Sequence, residues 1–162
     1  MDNIKTSGCY IILFLILMLF TYKWLYGGRT YINGPDQRKY GILERNDPAE
    51  NRKILQRFVE ISRRVNIFCE YCLNNNYPDH SRALRLKKNW DSCSIKETSQ
   101  SDDSVAYVID KGSELNLCLT NKKTGELEDI NSTMFVVLHE LGHLMSVSWG
   151  HNDEFWDNFK LI

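Results

Sequence analysis

The stretch HELGHLMSVSWGHNDEFW, His139 to Trp156, holds three of the four histidines in the chain, and whether its first part is helical decides the fold around it. In a helix, residues four apart share one face about one turn apart, so His139 and His143 would present their imidazoles side by side with Glu140 next to them. The residues before and within it support that reading. In NSTMFVVLHELGHLM, Asn131 to Met145, the apolar positions Met134, Val137, Leu138, Leu141 and Met145 step by three or four, with Asn131 or Ser132 expected as N-cap. The apolar face lies opposite the histidines, so a core face and a chemical face fit on one helix. Gly142 costs about 1 kcal/mol relative to Ala within a helix, which predicts close approach of a neighbouring element at that point.

His139-Glu140-x-x-His143 has the ligand spacing of a zinc site, with Glu140 placed as general acid/base. A third ligand is required. The spacing HExxHxxGxxH fails, because Ser146 stands where it needs glycine and Trp149 where it needs histidine. A glutamate on a distant downstream helix has no room before Ile162. The candidates are His151, Asp153 and Glu154. We favour His151, with Gly150 turning the chain back toward the metal, Asp153 capping a terminal helix, and Phe155, Trp156 and Phe159 packing it down.

Upstream, VAYVID (Val105 to Asp110) and ELNLCLT (Glu114 to Thr120) flank the turn residues KGS and read as a hairpin. Further back, Asp47 and Pro48 mark a helix start, and Ile54, Phe58, Ile61, Val65, Phe68, Cys69 and Cys72 form an apolar stripe over the next seven turns. That stripe decides the meaning of CEYC: Cys69 and Cys72 are core residues and not a metal or redox pair. SRALRLKKNW, Ser81 to Trp90, reads as a solvated edge with Leu84 and Leu86 inward at strand spacing, and IKETSQSDDS as a polar loop. Arg82, Arg85, Lys87 and Lys88 would be the only local nucleic-acid footing. With a net charge of −1, there is no global field to support it, and a nucleic-acid partner is not expected.

The N-terminus reads differently. Thr6 to Tyr22 carries no charge and is dense in Ile, Leu and Phe, so Ser7 to Tyr26 is expected to be a single membrane-spanning helix with Lys23, Trp24 and Tyr26 at the interface. The divisions are then 1–6 tail, 7–26 anchor, 27–48 linker and 49–162 catalytic domain. Lys23, Arg29, Arg38 and Lys39 behind the helix would keep that domain in the cytosol. The fold class is α+β: the anchor, a long helix, a small antiparallel sheet, the HExxH helix and a short C-terminal helix.

From Val105 to Phe159 the pattern of HExxH, a loop, Gly-His, an acidic residue and Phe-Trp resembles the WLM and SprT-like metalloproteases. The resemblance implies a minimal zincin fold and hydrolysis of a protein or peptide substrate. It implies zinc on His139, His143 and His151, Glu140 as catalytic acid/base, and Phe155 and Trp156 as packing residues of the closing helix. The loop from Leu144 to Gly150 departs from the spacing of both groups. Members of the family act on proteins crosslinked to DNA; the likeness here carries the peptidase chemistry and not that substrate. Small anchored versions also resemble proteins of large DNA viruses. The competing expectation is a structural zinc clip, in which Asp153 or Cys118 would fill the fourth position.

Overall fold

The computed structural model describes residues 2–26, 28–98, 104–121 and 123–162, and within the first helix the side chains of 10–22. The stripe that starts at Asp47 becomes the helix α2 (Pro48–Asn74), with the Asp47 carboxylate accepting from the Ala49 N–H and Pro48 in the first turn. Ile54, Phe58, Ile61, Val65, Cys69 and Cys72 are all buried along it. All four described cysteines are buried free thiols.

SRALRLKKNW is helical, not an edge strand. It belongs to α3 (His80–Ser92), in which Ala83, Leu86 and Trp90 are buried. The spacing of three and four between these residues outweighs the two-residue spacing of Leu84 and Leu86, and Leu84 is exposed. Asp79 caps α3 by accepting from the Arg82 N–H. The basic residues are engaged within the fold: Arg82 with Asp79 and Asn158, Arg85 with the Met145 carbonyl, and Lys87 with Asp91 and Glu70.

The sheet has five strands, β1 (Arg29–Asn33), β2 (Lys39–Leu43), β3 (Ser94–Glu97), β4 (Ala106–Ile109) and β5 (Glu114–Leu117), in the order β1-β2-β3-β5-β4. It is mixed and not antiparallel: β2 pairs parallel with β3, and β3 with β5, while the two hairpins are antiparallel. The segment expected as a linker therefore supplies two strands, and part of the expected polar loop supplies a third. Buried polar groups fix them in place. Glu97, at 1 % exposure, pairs with Arg45 and accepts from the Leu43 N–H at 2.9 Å, while its own carbonyl accepts from Arg29 at 3.1 Å. Tyr40, stacked on Phe58, donates to Asp36 at 2.6 Å, and Ser62 of α2 donates to the same oxygen at 3.1 Å.

A single-pass anchor is not supported. Among the described residues no helix is long and apolar enough to cross a membrane. The first helix, α1 (Asp2–Tyr26), has exposed apolar side chains from Tyr10 to Tyr22. The side chains of Lys23, Trp24 and Tyr26, expected at an interface, lie outside those described. The expectation of a cytosolic domain behind a membrane anchor falls with it.

The remaining elements are the helices α4 (Ile130–Met145) and α5 (Asp153–Leu161). Val137, Leu141, Leu144 and Met145 of α4 join the core formed by α2, α3 and the sheet. The cap of α4 is Asp129, whose carboxylate accepts from the N–H groups of Asn131 and Ser132. It starts two to three residues earlier than a cap at Asn131 or Ser132 would have placed it.

Candidate metal centre

The helical register of α4 sets His139 and His143 on the face away from the core, with ring centroids 5.3 Å apart. Gly150, at φ 81°, turns the chain, and His151 returns to the pair. Its Nε2 lies 2.9 Å from that of His139 and 3.2 Å from that of His143. Among the described residues this is the one group of His, Cys, Asp or Glu that could hold a metal, with ligand atoms all within 4.8 Å of one another. Tetrahedral zinc with nitrogens at 2.0–2.1 Å would set its ligands about 3.3 Å apart. Lone pairs meeting at these separations repel unless a cation or a shared proton lies between them, so the donor set fits zinc.

The electrostatics agree with that fit. Burial, with His151 and His139 nearby, pulls the His143 imidazole down to about 4, and burial lowers His139 as well. Both are neutral near pH 7, the form that binds a metal. Burial pushes the Glu140 carboxyl up to about 7, against the opposing pull of a hydrogen bond from the Val108 N–H. Glu140 thus sits between α4 and β4, the edge strand of the sheet.

Phe155, fully buried, is the floor of the site. Its ring centroid lies 4.3 Å from that of His143, 4.8 Å from His139 and 4.6 Å from His151. Trp156 stands 6.0 Å from His151 and remains 44 % exposed. Above the floor, an open cleft is lined by Ala106, Tyr107 and Val108 of β4, by His139, Glu140 and His143, and by Trp149 and His151. A more apolar hollow, lined by Val105, Leu117, Thr133 and Val136, continues along α4.

The alternative third ligands are placed elsewhere. Glu154 faces the preceding loop, accepting from the N–H groups of Val147 at 2.7 Å and Ser148 at 2.8 Å. Asp153 begins α5, whose cap is Asn152, accepting from the Phe155 N–H at 3.1 Å. Cys118 lines the apolar hollow and not the metal cleft. The cap was expected at Asp153 and falls one residue earlier, at Asn152; an Asn followed by two acids in a first turn was the signal that could have found it. Lys111, which lines the cleft, carried no signal beyond its place in a turn.

A small mixed sheet over an HExxH-bearing helix is the fold class this architecture defines. The crystal structure of a Wss1 mutant from Saccharomyces cerevisiae shares that fold, with a TM-score of 0.53 at 16% identity over 74% of this chain and 81% of that one. No family model matches the chain. Sequence relatives are viral: uncharacterized protein R325 of Acanthamoeba polyphaga mimivirus is 31% identical over 102 residues, 59% of this chain and 50% of that protein. Uncharacterized protein 136R of Invertebrate iridescent virus 6 is 37% identical over 68 residues, 41% of this chain and 38% of that protein. The matched regions span half or less of these relatives.

Proposed function

We propose that this chain is a zinc-dependent endopeptidase, with His139, His143 and His151 as the metal ligands and Glu140 as general acid/base. The observation that carries the reading is the meeting of three imidazole Nε2 atoms beside a buried carboxylate, in a cleft open along an edge strand. The Wss1-like fold and the resemblance to WLM metalloproteases support it.

Zinc, when bound, supplies Lewis acidity toward a peptide carbonyl and toward water. The rest falls to the chain. Neutral His139 and His143 offer lone pairs without first losing a proton. Glu140 takes a proton from the attacking water and returns it to the departing amine. The edge strand β4 offers backbone groups to an extended polypeptide, which would lie across the cleft as an added strand. Phe155 keeps bulk water from the underside of the histidines.

The fourth ligand position is the discriminator against a structural zinc clip. Among the described residues no thiol or carboxylate joins the three histidines, which favours the catalytic reading. The test is Glu140→Gln in the full chain, assayed for zinc content and for cleavage of an unfolded protein. We expect zinc retained at one equivalent and cleavage reduced by about a hundredfold or more. Undiminished cleavage by the variant would remove Glu140 from the mechanism.

A further inference from the structure

We propose that Lys111 is a positioning residue for the third histidine: from the tip of the β4–β5 hairpin, its ammonium ties down the loop that delivers His151 to the other two imidazoles. This rests on the metal-site reading above.

Asp110, Lys111 and Gly112 all have positive φ, 44°, 55° and 112°, and this tight tip points the Lys111 side chain across the end of the cleft. There Nζ donates to the Ser146 carbonyl at 3.2 Å and to those of Val147 and Ser148, and lies 4.9 Å over the ring of Trp149. An ammonium has three protons. Three carbonyls take them and an indole covers the charge, so Lys111 has no donor left for a substrate oxygen. Its role is to hold the loop.

Glu154 completes the grip from the opposite side, taking the N–H groups of Val147 and Ser148 and the Ser148 hydroxyl. The same short backbone thus has its carbonyls on a cation and its amides on an anion. Such bonds to charged groups are stronger than neutral ones. A Cβ added at Gly150 would meet nothing within 4 Å, so packing around that residue does not aim His151; the turn is held by polar contacts, those of Lys111 and Glu154 on the loop before it and that of Asn152 Nδ2 to Ser148 Oγ at 2.6 Å across it. The hairpin that carries Lys111 also gives Glu140 its hydrogen bond from Val108, so one element sets both the third ligand and the general base.

The test compares full-length wild type, Lys111→Met and Lys111→Arg. Three readouts are needed: zinc affinity by competition with a chromophoric chelator, the visible spectrum of the cobalt(II)-substituted protein, and metal-free thermal melting. We expect Lys111→Met to weaken zinc about 10- to 100-fold, the scale seen when groups supporting metal ligands are lost, and to alter the cobalt bands. Lys111→Arg, which can still donate to carbonyls and stack on Trp149, should recover most of the affinity. If Lys111→Met does not fold, Lys111→Gln is measured instead, and weaker zinc binding with unchanged metal-free melting supports the assignment. Wild-type affinity and an unchanged cobalt spectrum in the variant that folds would overturn the role of Lys111 alone. A wild-type chain that takes up no zinc would overturn it together with the metal site.

Discussion

A Cβ placed on Gly142 would come within 3.0 Å of Phe155 Cε2 and 3.5 Å of Phe159 Cβ. The glycine in the middle of HExxH is therefore the seat of the closing helix, and Phe155 rests on it while touching all three histidine rings. Gly142→Ala sets a gain of about 1 kcal/mol in helix propensity against overpacking of about 1–3 kcal/mol. Phe155 is walled in and cannot yield, so we expect a net loss of about 1 kcal/mol by denaturant unfolding, with weaker zinc binding. A stabilised variant with unchanged affinity would show that the contact is slack.

Removing the partner of a buried charge costs more than the pair contributes. Arg45→Met leaves Glu97 buried with one cation fewer, and we expect a loss of about 2–4 kcal/mol. Combining it with Glu97→Gln should give back part of that loss, because the uncompensated charge goes too. A double-mutant cycle measures the coupling, and strict additivity would mean the two groups act independently.

Glu154 provides a pH signature. Bonds from the Ser148 hydroxyl and from the Val147 and Ser148 amides lower its carboxyl from 4.5 to about 2. A depressed carboxyl adds stability that is full above its unfolded pKa and lost as pH falls through the folded value. The gap in metal-free melting temperature between wild type and Glu154→Gln should hold steady above about pH 5 and close between about 4.5 and 2. A gap that ignores pH across that window would contradict the role given to the carboxylate.

The CEYC thiols are expected to be silent in the native state. Burial pushes Cys69 up to about 12 and raises Cys72, and the thiolate is the reactive form. A thiol reagent should label Cys69, Cys72, Cys93 and Cys118 only on unfolding, and Cys69→Ala with Cys72→Ala should leave zinc stoichiometry unchanged. Fast labelling at either residue in the folded chain, or loss of a metal equivalent, would contradict their place in the core.

The helices α2 and α4 were legible because each carried a periodic stripe longer than two turns, whereas α3 was misread as an edge because Leu84 and Leu86 stand two residues apart among charges. The α2 stripe was read nearly residue by residue, and the HExxH face followed from the same arithmetic. The strands β1, β2 and β3 were not. Each is four or five residues long; β1 and β2 face each other across a short turn, but the parallel partners of β2 and β3 lie far along the chain, so no local pattern announces those pairings. Polar residues also disguised them: Glu97 reads as loop in sequence, and only the arrival of Arg45 from another element makes its burial tolerable. The clamp on the His151 loop was hidden for the same reason, since Lys111 and Glu154 look like ordinary surface charges until they are seen on either side of one peptide segment.

The parallel pairing of β2 with β3 has a practical consequence for anyone shortening the chain. A fragment begun at the helix start near Pro48 would keep every proposed metal ligand. It would also strip β3 of its neighbour, exposing Ile95 and a row of unpaired backbone groups along a new sheet border. Borders of that kind recruit other strands and drive self-association. It would also discard Arg45, leaving Glu97 stranded. The smallest piece worth purifying therefore begins ahead of Arg29, because the first hairpin is the seal that keeps the sheet from aggregating.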